Sequence, residues 1–146
     1  MGLNINDKTP PQNSLTDIPA PVQNEAFMKA IAGSFKRSSV DAAERVFHSH
    51  GHTCEEMWEL RYGHFPRYVD MVIWPGSHAH VEAIVKAAVT HNVMIIPYGG
   101  GTSVSYALLC PTEEKRMIVS LDMHEMRKIK WINHKSMTLS LIHISE

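Results

Sequence analysis

Met94-Ile95-Ile96-Pro97-Tyr98-Gly99-Gly100-Gly101-Thr102-Ser103 runs an apolar β-type segment straight into three glycines and two hydroxyl residues. Adjacent glycines bury no side chain and lose the most backbone entropy on ordering, so they make a poor core. They suit a place where the main chain turns sharply and brings its N–H groups up against another molecule. The usual guest there is a phosphate or pyrophosphate, held by backbone donors and flanking hydroxyls. A nucleotide-type cofactor is therefore the first expectation.

The residues before this segment supply its scaffold. Val69 to Trp74 is a short apolar run stopped by Pro75-Gly76, which reads as a buried strand and its exit turn. Ser77 stands at an N-cap position, and Val81, Ile84, Val85, Ala88 and Val89 recur at helical spacing as one apolar stripe. Asn92 suits the left-handed residue that closes such a helix, and Val93 to Ile96 reads as a second strand. Strand, helix and strand together predict a crossover unit with parallel strands. Further strands are expected at Met117 to Leu121 and around Ile129 to Asn133, with Trp74 and Trp131 as core or interface fillers.

Upstream, Asp41 to Arg61 has a helical pattern interrupted at Gly51, which predicts two short helical pieces. Residues 1 to about 24 hold Pro10, Pro11, Pro19 and Pro21 with little periodicity, the composition of a flexible leader. The predicted organisation is a leader over 1–40, a helical linker over 41–64 and an α+β unit over 65–138.

Composition narrows the function classes. The chain has 146 residues, room for one domain, and its 14 basic and 15 acidic residues give a net charge of -1. No basic field points to nucleic acid or anionic lipid. Cys54 and Cys110 are too few for a disulfide scaffold and fit a reducing compartment.

Two better-known phosphate-binding patterns do not fit the glycines. Gly99 and Gly101 fill the first two positions of a G-x-G-x-x-G fingerprint, but the third is Val104. Asp122 ends a strand where a ribose-binding acid would sit, yet Pro111 and Thr112-Glu113-Glu114-Lys115 interrupt the helix that pattern needs. A P-loop fails because no Lys-Ser/Thr follows the glycines. His48, His50, His52 and Cys54 alternate along the chain, but structural zinc sites want a second ligand pair that is missing here. They read as a polar turn between helices, with no metal. His78 and His80 read as a solvated helix end, and Asp70 as a strand-entry residue.

The segments "HGHT" (50–53), "DMVIWP" (70–75) and "IIPYGGGTSVS" (95–105), in that order and spacing, resemble the alkylglycerone-phosphate synthase family of vanillyl-alcohol-oxidase-type flavoproteins. The likeness runs from about Ala43 through Thr138. It implies an α+β fold, the β-α-β first subdomain of a PCMH-type FAD-binding domain. The family's FAD-pyrophosphate loop falls on Pro97, Tyr98, Gly99, Gly100, Gly101, Thr102 and Ser103. Tyr98 departs from the small aliphatic residue more common there. Ser120-Leu121-Asp122 fits the family's third strand, which removes the need for a ribose-binding role.

The resemblance further implies exchange of the acyl chain of acyl-dihydroxyacetone phosphate for a long-chain fatty alcohol, with FAD used without net redox turnover. It implies a peroxisomal enzyme associated peripherally with that membrane, and allows a homodimer. The family's catalytic residues fall beyond Glu146, so this segment is expected to hold part of an FAD site and to be inactive alone. A flavin-dependent D-lactate or glycolate oxidoreductase of the same superfamily is the alternative, with a non-catalytic binding fragment behind it. The "HGHT" linker argues against the oxidoreductase. Residues 139–146 leave the family pattern and read as a non-native tail.

Overall fold

A computed structural model describes residues 17–141. The leader's residues 1–16 and the tail's residues 142–146 lie outside them. The described chain is an α+β unit with a four-stranded sheet at its centre, built from β1 (Arg37–Ser39), β2 (Met71–Trp74), β3 (Met94–Tyr98) and β4 (Ile118–Asp122) in the order β1-β2-β4-β3. β2, β4 and β3 are parallel and β1 is an antiparallel edge. The strand-helix-strand unit has the expected parallel strands, but β4 enters between them.

Alternation along the strands sends side chains to two buried faces, as expected for parallel strands covered on both sides. On one face Met71, Ile73, Val119 and Leu121 join Ile84 and Ala88 of α4 (His78–Thr90) and Phe27 and Ile31. On the other, Val72, Trp74, Ile96, Tyr98 and Ile118 pack with Val69, Leu108 and Cys110.

Helix α4 begins where the sequence put it: the Ser77 hydroxyl accepts the His80 N–H at 3.2 Å. It closes into Asn92, whose φ is 53°. Its apolar stripe is narrower than the spacing suggested. Val81, Ile84, Ala87 and Ala88 meet the sheet, whereas Val85 is 42% and Val89 79% exposed. Three strands and one helix give α4 a contact face of limited width.

The flexible leader expected through residue 40 is corrected. Helix α1 (Glu25–Ala30) is capped by Asn24, whose side chain accepts from the Phe27 N–H, and β1 follows before residue 40. Phe27 and Ile31 share a face at i, i+4 and are both fully buried. Proline content nearby concealed that pair.

The segment read as two helical pieces holds α2 (Ala42–Phe47) and α3 (Cys54–Tyr62), with Gly51 between them. β5 (Ile129–Asn133) does not join the main sheet; it pairs with β6 (Thr138–Leu141) in a separate hairpin. Trp131 is 54% exposed there, so it is no core filler in this unit, while Trp74 is buried. The stretch expected as a tail from residue 139 thus begins inside β6.

Candidate functional site

Parallel strands bring their C-terminal ends to one edge of a sheet, and in open α/β sheets ligands bind at that edge. Here Trp74, Asp122 and Tyr98 end β2, β4 and β3 side by side, with Tyr98 in register with Asp122. The glycine segment leaves from this row.

Pro97 and Tyr98, the first two residues of the expected cofactor-binding segment, are the last residues of β3, and the glycine turn itself starts at Gly99. Pro97 is tolerated because β3 is an edge strand and needs no N–H on that side. The Tyr98 ring is buried and lies 4.4 Å from the His48 ring. Burial, then the nearby Asp122 and Glu44 charges, push its hydroxyl up to about 12, so it is neutral. Gly101 turns with φ 75°, and a Cβ there would strike the Tyr98 hydroxyl. Tyr98 is the floor of the loop.

The loop passes the test for a phosphate guest. Among the described residues, the N–H groups of Gly100, Gly101 and Thr102 donate to no other group. A Cβ on Gly100 would meet nothing within 4 Å, so the space before it is open. Thr102 is exposed, and the Ser103 hydroxyl lies 3.4 Å from that of Ser105. No lysine or arginine stands between Pro97 and Cys110, so the donors that this segment itself offers an anion are main-chain N–H groups and hydroxyls.

Beneath the loop is a cluster that no local pattern foretold. His48, at the end of α2, is 2% exposed, and its ring bridges the Glu44 carbonyl oxygen at 2.7 Å (Nδ1) and an Asp122 carboxylate oxygen at 2.9 Å (Nε2). It meets Trp74 edge-on at 5.5 Å. Asp122 also accepts the His124 N–H at 2.8 Å and a bond from the His124 ring. Burial resists ionisation of Asp122, but these bonds outweigh it and hold the carboxyl below its ordinary range. With its oxygens so engaged, Asp122 is a structural acid. The sequence separation of His48 and Asp122 is 74, beyond any motif.

The other histidines part company. His50 stacks on Phe65 at 5.4 Å with rings nearly parallel, and His52 is exposed. His78 is exposed in the first turn of α4, where His80 accepts the Gly76 N–H at 3.2 Å. Asp70 is more than a strand-entry residue. It is fully buried, binds both terminal nitrogens of Arg67, and accepts the N–H groups of Val22 and Ile118 at 2.8 Å each. That clamp ties the start of β2 to β4.

Residues 69–141, half of the chain, match the FAD binding domain family, and the chain belongs to this class of flavin-binding modules. FAD is thus the cofactor of its domain class. The chain is similar to alkyldihydroxyacetonephosphate synthase of Caenorhabditis elegans, 40% identical over 140 residues, which is 94% of this chain and 23% of that protein. A solved structure of alkyldihydroxyacetonephosphate synthase superposes with a TM-score of 0.82 at 30% identity, covering 94% of this chain and 27% of the other. The mitochondrial cytochrome D-lactate dehydrogenase of Arabidopsis thaliana is 34% identical over 68 residues, 47% of this chain and 11% of that protein. This chain therefore spans about a quarter of the synthases it matches.

Proposed function

We propose that this chain is the first part of the FAD site of an alkyldihydroxyacetonephosphate synthase, with Gly99, Gly100, Gly101, Thr102 and Ser103 holding the pyrophosphate. Pro97 and Tyr98, at the C-terminal end of β3, open the same cofactor-binding segment. The observation that carries this reading is the loop itself: three N–H groups without internal partners at the C-terminal edge of parallel strands, inside a segment of the FAD binding domain family. FAD, when bound, supplies the reacting centre. The residues of this chain orient it and hydrogen-bond its phosphates.

On this reading the whole protein exchanges the acyl chain of acyl-dihydroxyacetone phosphate for a long-chain fatty alcohol. Peroxisomal location, peripheral membrane association and a homodimer follow as parts of the same proposal. Likeness to the synthase over 94% of the chain, against 47% for the D-lactate dehydrogenase, favours the transferase over an oxidoreductase.

Gly100→Asp tests the loop. Its carboxylate would enter the open space before Gly100 and meet the pyrophosphate with like charge. Charge-assisted N–H bonds worth ~1.5–3 kcal/mol each would weaken, and FAD retention through gel filtration should be lost. Unchanged retention overturns the assignment. The reaction is tested on the full-length protein with palmitoyl-dihydroxyacetone phosphate and hexadecanol. Ether product supports the transferase, whereas dye reduction by D-lactate without ether product refutes it.

A further inference from the structure

The "HGHT" segment has no part in the site as described so far, yet it lies against the glycine loop. The His52 N–H donates to the Ser103 carbonyl oxygen at 2.7 Å. A Cβ on Gly51 would collide with that same oxygen and come within 3.0 Å of its carbonyl carbon. Those are backbone atoms with no rotamer to escape into, so only glycine permits the approach. We propose that residues 51–56 are the positioning element of the pyrophosphate loop: the Gly51–His52 main chain grips Ser103 and sets flavin affinity from outside the loop. The inference rests on the pyrophosphate reading above and extends it to residues of the linker.

The grip is itself braced. Glu56 is 2% exposed; its carboxylate accepts the Gly51 N–H at 2.8 Å and the Thr53 N–H at 3.0 Å. The Thr53 hydroxyl accepts the Glu56 N–H in return at 3.1 Å, closing a capping box at the start of α3. Burial opposes ionisation of Glu56, but the two N–H donors and the Thr53 hydroxyl outweigh it and hold the carboxyl below its usual range. Across the loop, the Tyr106 hydroxyl donates to Glu55 of the same helix at 2.9 Å. The Gly51–His52 chain leading into α3 thus holds the loop at Ser103 and α3 itself holds it at Tyr106, while Gly100 to Thr102 between Tyr98 and Ser103 keep their N–H groups available. Sequence alone showed Gly51 as a helix break; the structure makes it a close contact between linker and loop.

The test strips the full-length flavoprotein of FAD and titrates it with FAD and with FMN, which lacks a pyrophosphate. Gly51→Ala should raise the Kd for FAD about tenfold or more while leaving that for FMN within about twofold. The clash lowers the apoprotein melting temperature in either case, so the difference between FAD and FMN is the readout: a purely structural role would weaken both flavins alike. Equal weakening of both flavins overturns the inference, as does an unchanged FAD affinity. Should Gly51→Ala not fold, Glu56→Gln keeps the glycine and loosens only the brace. It should weaken FAD about threefold with FMN unaffected, and no change overturns the inference. Gly100→Asp in parallel separates the two claims. If it loses FAD while Gly51→Ala and Glu56→Gln do not, the linker role falls and the pyrophosphate loop stands. If it too retains FAD, both fall.

Discussion

Asp122→Ala should cost about 2–4 kcal/mol of folding free energy and Asp122→Asn about 1 kcal/mol. The difference follows from who donates to the carboxylate. Two of its three bonds come from His124, whose side chain is 40% exposed, so water replaces most of what they supply. The third comes from His48, which is 2% exposed and lies between Trp74 and Tyr98. Alanine leaves a buried ring nitrogen without a partner, worth ~1–3 kcal/mol, and removes the charge that faced it. Asparagine keeps the shape and one acceptor oxygen, which can face His48; its amide nitrogen then meets the partly exposed His124, so the bonds on that side and the charge assistance are lost.

The sign with pH follows from the depressed carboxyl. Its stabilisation is fully present above the unfolded value of about 3.9 and is lost as pH falls through the lower folded value. The gap between the parent and Asp122→Asn should therefore shrink as pH falls below about 4. Urea denaturation followed by tryptophan fluorescence suits the measurement. Trp74 is buried 5.5 Å from His48, whereas Trp58 and Trp131 are exposed and contribute little change. For a chain of this size the alanine variant should also melt roughly 5–15 °C lower. Two variants within about 0.5 kcal/mol of the parent, or a gap that ignores pH, would refute the buried bridge.

Asp70→Ala should cost about 3–5 kcal/mol, because it leaves the Arg67 guanidinium, 15% exposed, with carbonyl acceptors but no counter-ion and leaves the buried Ile118 N–H without its acceptor. A urea midpoint near that of the parent would show that the clamp does not hold β2 to β4. On α4, Ile84→Ala should lose about 2–5 kcal/mol and Val89→Lys less than about 0.5. Ile84 is fully buried and Val89 is 79% exposed, so equal losses would mean the helix presents a different face.

The unequal fates of Ile84 and Val89 show where sequence reading stops. Periodicity located α4, Ser77 capped it and Asn92 ended it, because all three depend on neighbours in the chain. Which of the five stripe residues touch the sheet depends on how wide that sheet is at the helix, and no window of residues contains that. β4 entering between β2 and β3 is invisible for the same reason. Phe27 and Ile31 were legible in principle, as an i, i+4 apolar pair behind Asn24, but proline-rich composition outweighed them.

The sequence by itself determined the α+β class, the α4 unit and the position of the glycine loop at the end of a strand. Each of these is set by local chemistry: glycine's missing Cβ, alternating or helical apolar spacing, and capping side chains. Only the tertiary structure decided that Pro97 and Tyr98 belong to the strand, that His48 and Asp122 meet beneath the loop, and that Gly51 lies against Ser103. Those contacts join residues far apart in the chain, held together by hydrophobic burial on both faces of the sheet. Such burial is non-directional and depends on area, so it fixes partners only once the whole unit has assembled.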